Sequence, residues 1–372
     1  MQHAYLPSLD SEALPRLLAH WHAQSPTAGC LALLPEAERS ALPLLQEAAR
    51  RCNMPLLGGI FPAVINAQWL QPEGVALILL DPAPCYWLQD GLDQPDAAAR
   101  IAQLAAEIDA ALPAAEDGQL FLICDAMLPD LGTHLTRLHQ HLGLRFNYAG
   151  VSAGSESFTP MDCLFDNSRC LSGGCLAILL PAATPMAVRH AYPVSSSRCR
   201  ATSTTGNRID QIDGKPALAV YQALVKTEFG IDITPENFYQ YAVHFPFGLV
   251  TVADVLVRIP VALTDEGHIH CIGQIHPNSL LRLLHPPTLA GTQCANELAL
   301  ALGESDSPLL AFYCAGRRLH FGIEAEQELH TLQAATGAST LLGALSLGEI
   351  GTHPDLGIPE FHNAAIVCLR PD

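Results

Sequence analysis

The sequence predicts an α/β (α+β) protein of two domains, each a mixed sheet covered by helices, and three observations predict it. Three stretches repeat one pattern: an apolar strand, a helix, a second strand running into small residues and Gly, and a closing apolar strand. At 372 residues and 49% apolar content, the chain exceeds what one compact core holds. A polar seam rich in Pro, Ser and Thr lies between Leu180 and Lys215 and places the domains at 1–200 and 201–372.

The first unit runs through strand 30–34, a helix over 37–52, Leu56-Leu-Gly-Gly59, and strand 75–80. In the second, strand 120–125 is followed by a helix over 130–142, then Tyr148-Ala-Gly-Val-Ser-Ala-Gly154 and strand 175–180. The third has strand 309–314, a helix over 324–336, Leu341-Leu-Gly-Ala-Leu-Ser-Leu-Gly348 and strand 364–369. The spacings Ala32 to Gly58, Leu122 to Gly150 and Phe312 to Gly343 are similar, at 26, 28 and 31 residues. Gly at a strand end lets a ligand approach the backbone, so the functional loops are expected there. Past the seam, 207–213 alternates as a strand, Gly214-Lys-Pro216 turns, and 217–228 forms a helix. A hairpin follows, 255–263 and 268–273 about a Thr264-Asp-Glu-Gly267 turn.

The net charge of −18 argues against nucleic acid and anionic membrane as partners. The N-terminus lacks a basic start and apolar core, and Pro181 and Pro185 interrupt the longest apolar run, so a cytoplasmic protein is expected. The 12 Cys contain no Cys-x-x-Cys pair, and five lie inside apolar strands, which reads as core thiols in a reducing compartment.

Motifs in order along the second half of the chain resemble the FIST-domain family. Ile209-Asp-Gln-Ile-Asp-Gly-Lys-Pro-Ala217 is similar to the join between its two halves. Phe312-Tyr-Cys-Ala-Gly-Arg317, Leu342-Gly-Ala-Leu-Ser-Leu-Gly-Glu-Ile-Gly351 and Phe361-His-Asn363 are similar to its C-terminal signature. The resemblance implies a FIST N-terminal and a FIST C-terminal domain, and a sensory module of bacterial signalling that binds small ligands such as amino acids. Some members bind haem and sense nitric oxide, which implies output through a histidine kinase or a cyclic-di-GMP enzyme.

Cys314-Ala-Gly-Arg317 and Ser346-Leu-Gly-Glu349 follow strands of one unit, so both loops are expected on one sheet edge as the ligand site, with His362 nearby. Arg317 offers a fork for a carboxylate or haem propionate, and Glu349 a partner for a ligand amine or for Arg317 itself. An exposed Arg317 would cost binding, not stability, when lost. Gly154 and Glu156 hold the matching positions of the second unit. Among 16 His, His244 stands among Tyr241, Phe245 and Phe247 and is the first choice of haem ligand, ahead of His276 and His362. His268 and His270 share a strand face, as a metal pair would. A small-metabolite sensor without haem is the alternative, and a Cys314- or Ser152-dependent hydrolase a further one; Ser152 has the letters Gly-x-Ser-x-Gly, but no helix is expected after it. The open sheet edges allow a homodimer.

Overall fold

The three Gly of the repeated pattern occupy one structural position. In the computed structural model, which describes residues 2–9, 12–114, 116–252, 254–289, 293–353 and 355–371, each unit has two parallel central strands, and its Gly packs on the neighbouring strand's backbone. A Cβ would lie 2.0 Å from the Ala32 carbonyl at Gly58, 2.4 Å from that of Leu122 at Gly150 and 1.7 Å from that of Ala311 at Gly343. The third match is therefore Ala311, not Phe312. These Gly serve strand packing, and the expectation of a ligand approaching the backbone there does not hold.

Each repeat is larger than its sequence pattern. Repeat one comprises β1 (Gln2–Leu6), α1 (Ala13–Gln24), β2 (Gly29–Pro35), α2 (Leu42–Arg51), β3 (Leu56–Phe61), β4 (Val64–Asn66), β5 (Trp69–Gln71) and β6 (Val75–Leu80). Repeat two comprises β7 (Tyr86–Gln89), α3 (Ala97–Ala111), β8 (Gly118–Asp125), α4 (Leu131–Leu142), β9 (Phe146–Ala153), β10 (Leu164–Asp166), β11 (Cys170–Leu171) and β12 (Cys175–Leu180). Repeat three opens with β13 (Met186–Arg189), inside the seam that the sequence leaves irregular. An insert follows: β14 (Cys199–Thr205), β15 (Arg208–Ile212), β16 (Lys215–Pro216), α5 (Ala217–Phe229), α6 (Phe238–Ala242), β17 (Phe247–Val250), β18 (Val255–Arg258), β19 (Pro260–Leu263), β20 (Ile269–Cys271) and β21 (Leu280–Leu283). The repeat resumes with α7 (Gln293–Leu302), β22 (Leu309–Cys314), α8 (Ala315–Phe321), α9 (Ala325–Thr336), β23 (Leu341–Ser346), β24 (Glu349–Thr352), β25 (Pro359–His362) and β26 (Ile366–Leu369). The strand expected over 255–263 is broken at Ile259, just before Pro260, which cannot donate to a ladder and opens the second strand.

Strand order shows how the repeats are joined. The three sheets run β1-β6-β2-β3-β10-β11, β7-β12-β8-β9-β24-β25 and β13-β26-β22-β23-β4-β5. Each is closed by a hairpin from another repeat: Phe165 pairs with Gly58, Ile350 with Gly150 and Ile65 with Gly343. The exchange runs in a ring, one to three, three to two and two to one. At its centre Phe312 meets Phe61 at 6.0 Å and Phe121 at 5.4 Å between ring centroids, one aromatic from each repeat in a shared core. Central strands buried along their length explain the near-continuous apolar runs in the sequence.

The boundary expected near residue 200 falls at β14, where the insert begins. The insert is an eight-stranded sheet with its own core around Tyr221, Phe238, Phe245 and Phe247. No helix among the described residues is long and apolar enough to cross a membrane.

Candidate functional site

Cys314-Ala-Gly-Arg317 is not a loop. α8 starts directly after β22, and the helix turn sends its two arginines in different directions. Arg317 is 1% exposed and points into the protein. Its Nε and Nη2 donate to both Glu328 oxygens at 2.7 and 2.6 Å, its Nη1 donates to the carbonyls of His190 and Ala364, and Tyr313 Oη donates to Glu328 at 2.6 Å. The expected exposed fork, free for a carboxylate or partnered by Glu349, is thus a buried brace to Glu328 on α9. Arg318 is the arginine that faces outward, bonding both oxygens of Glu156 at 2.6 and 2.8 Å.

Ser346 and Glu349 are both 0% exposed and bond each other, so neither reaches a ligand directly. The Ser346 hydroxyl donates to Glu349 Oε1 at 2.5 Å, the Ala365 N–H donates to Oε2 at 3.1 Å, and the Cys314 thiol lies beside the same carboxyl. Among the described residues no cation bonds it, and burial pushes the Glu349 carboxyl up to about 7. The folded protein therefore holds this proton more tightly than the unfolded chain, and stability falls as pH rises from about 4.5 to about 7. Glu349→Gln is expected to match the parent near pH 4.5 and exceed it at pH 8 by on the order of 3 kcal/mol. Urea midpoints of the two proteins across that range test this; parallel profiles would refute it. His362, also buried, is held down to about 3 by desolvation first and by nearby cations second, and remains neutral.

A two-lobed cleft opens between the insert and the end of the third sheet. The first lobe, about 590 Å³ counting the space open to solvent, has Cys314, Gly316, Leu319, Leu347 and Asn363 on the repeat side and Val243, Ile259 and Val261 on the insert side. The second, about 1120 Å³ counted in the same way, reaches from Val261 and Ile272 to the start of α4 and to Ser152 on β9. Phe158, Val261, Ile272 and Leu347 line both lobes. The first lobe is mainly apolar and the second is apolar with a polar end; Asn363 in the first and Ser152 in the second are each 1% exposed and carry an unpartnered polar atom, Oδ1 and Oγ. A concave apolar space with a few fixed polar groups suits a small organic ligand.

Residues 29–215 match the FIST N domain, and residues 217–352 match the FIST C domain. The chain belongs to the FIST family. FIST domains are signal-transduction sensor domains. The boundary between the FIST N and FIST C matches falls at β16 and the start of α5, so it divides the insert and leaves the ring of repeats spanning both. No curated protein matches the chain.

Of the candidate residues named from sequence, this FIST protein brings three to the cleft: Cys314 and Glu156 in the first lobe and Ser152 in the second. Gly154, at φ 138°, donates its N–H to the Ile60 carbonyl and lies beside Leu347 and Ala126. The histidines expected as haem ligands lie outside the cleft. His244 Nδ1 bonds His320 Nδ1 at 2.8 Å. The aromatic wall expected around His244 is used in the insert's core, where Phe245 stacks on Phe229 at 4.3 Å and Phe247 packs on Tyr221. His276 is exposed, and neither it, His244 nor His362 lines the cleft. His268 faces Asp210 at 3.4 Å, and no group of three metal-ligating side chains occurs among the described residues. Ser152 lies within β9, its N–H and carbonyl paired to Gly348 and Leu347, so it is not at a strand-to-helix elbow. Burial pushes the Cys314 thiol well up, away from the thiolate a nucleophile needs. Sequence reasoning missed Arg318, Phe158 and the insert's Val243, Val261 and Ile272; Asn363 stood in a recognised motif without a role.

Proposed function

We propose that this FIST protein is a cytoplasmic, non-enzymatic sensor that binds a small, largely apolar organic ligand in the two-lobed cleft. A separate histidine kinase or cyclic-di-GMP enzyme, the output partner that the family resemblance implies, would receive the signal. The observation that carries the reading is the cleft itself, whose repeat-side wall is built from Cys314 to Gly316, Leu347 and Asn363, residues in and beside the family signature. Because the opposite wall belongs to the insert, an occupant touches both bodies and can shift their relative position, as a sensor requires. Twelve cysteines, all free thiols, fit a reducing compartment.

Val261 stands between the lobes, half buried, and tryptophan there fills the space an occupant would use. Val261→Trp is expected to keep the parent's melting temperature yet lose the rise that small apolar metabolites give the parent, since only binding to the native state produces such a rise. A panel screened by thermal shift on both proteins checks this; equal rises would place the ligand elsewhere. Haemin belongs in the same screen. A sharp Soret band kept in Val261→Trp and lost in His244→Ala would replace the metabolite reading with haem.

A further inference from the structure

The larger lobe has a polar end that an apolar ligand leaves unused. Four polar side chains line it. Asp130 and Gln274 bond each other, Asn207 Nδ2 donates to the Cys271 carbonyl at 2.9 Å, and Ser152 Oγ alone of the four has no partner. The N-terminus of α4, a twelve-residue helix, lines the same lobe as Ser152. Asp130 precedes it at φ 55° and ψ 33° and makes no side-chain cap, its carboxylate being turned to Gln274. First-turn bonding starts at the Thr133 N–H, which donates to the Asp130 carbonyl at 2.8 Å, so the N–H groups of Leu131 and Gly132 project from the helix end. Gly132 adds no bulk, and a Cβ there would meet only Gln274 Oε1, at 3.6 Å.

One layer behind the same wall lies a buried cation. Arg258 is 5% exposed, and its bonds go to the carbonyls of Val257, Gln274 and Phe361, with no carboxylate among them. Gln274 and Phe361 are themselves lobe residues. Glu360 is near enough to act on this guanidinium but makes no bond to it; a buried cation without a bonded carboxylate is costly, and a negative group in the lobe would offset it further. Asp130 opposes such a group, but the Gln274 amide holds its charge at the rim.

We propose that the second lobe is an oxyanion site, taking the carboxylate or phosphate of a ligand whose apolar body lies in the first lobe. The Ser152 hydroxyl and the Leu131 and Gly132 N–H groups donate to the anion, and the α4 dipole and Arg258 supply the positive field. The ligand class is thus an amphiphilic acid, a deepening that rests on the cleft being the binding site.

Titration calorimetry with octanoate, octyl phosphate and octanol separates the two claims, because the three share one apolar chain and differ in the head. Octanoate or octyl phosphate is expected to bind at least about ten-fold tighter than octanol, the stronger of the two naming the head group. Ser152→Ala is expected to lower the affinity for the acid about ten-fold, leave octanol unchanged, and leave folding stability equal or raised, since it removes an unpartnered buried hydroxyl. Octanol binding as well as either acid, or an acid affinity unmoved in Ser152→Ala, overturns the oxyanion site and leaves the apolar cleft standing. Failure of all three to bind the parent protein overturns both.

Discussion

Replacing Arg317 by alanine is expected to destabilise the protein by about 3–5 kcal/mol, enough to unfold a typical domain of marginal stability. The loss comes less from the broken bonds than from what remains: Glu328, itself buried, keeps a charge with only Tyr313 as partner, and the carbonyls of His190 and Ala364 lose their donor. Arg317→Met with Glu328→Met removes both charges and is expected to recover most of the loss, as apolar replacement of a whole buried pair does. Urea denaturation of parent, single and double variants measures both steps. A single variant within about 0.5 kcal/mol of the parent would mean that the pair does not hold α8 and α9 together.

Gly343→Ala is the second severe change. Its Cβ would sit 1.7 Å from the Ala311 carbonyl, a backbone atom of the adjacent parallel strand, and no rotamer relieves that contact. Relief requires parting β22 from β23, so the expected cost is at or above about 3 kcal/mol, the upper end for overpacking. Gly58→Ala and Gly150→Ala follow in that order as the contacts lengthen to 2.0 and 2.4 Å. Gly206→Ala, with nothing within 4 Å but φ 61°, isolates backbone strain at about 1 kcal/mol. Thermal melts of the four variants rank them, and a Gly343→Ala protein as stable as Gly206→Ala would contradict the packing account.

The repeated pattern was legible because each unit buries its central strands on both faces and therefore spells them as apolar runs. Its Gly was visible too, but with the wrong cause, since sequence does not separate a backbone that admits a ligand from one that admits a strand. The hairpins were not legible. β4 and β10 have three residues each, too few for a period, and their partners lie in other repeats. At the site the error was one residue wide. With 315–321 taken as a loop, Arg317 and Arg318 had no facing; as a helix they part, one into Glu328 and one to Glu156 beside the cleft. Ser152 was singled out for a letter pattern and matters instead for an unsatisfied hydroxyl, which only coordinates reveal.

The ring of exchanged hairpins has a direction in time. Repeats two and three send their hairpins back to strands already synthesised, but repeat one sends its own forward, Ile65 waiting for Gly343. Until that strand leaves the ribosome, Val64 and Ile65, both fully buried in the finished protein, have no sheet to join. Closing so distant a contact is entropically slow and leaves an apolar ribbon open to proteases and to other nascent chains. A chain released before residue 341 therefore carries an unfinished edge that no independent folding of the earlier repeats can cover.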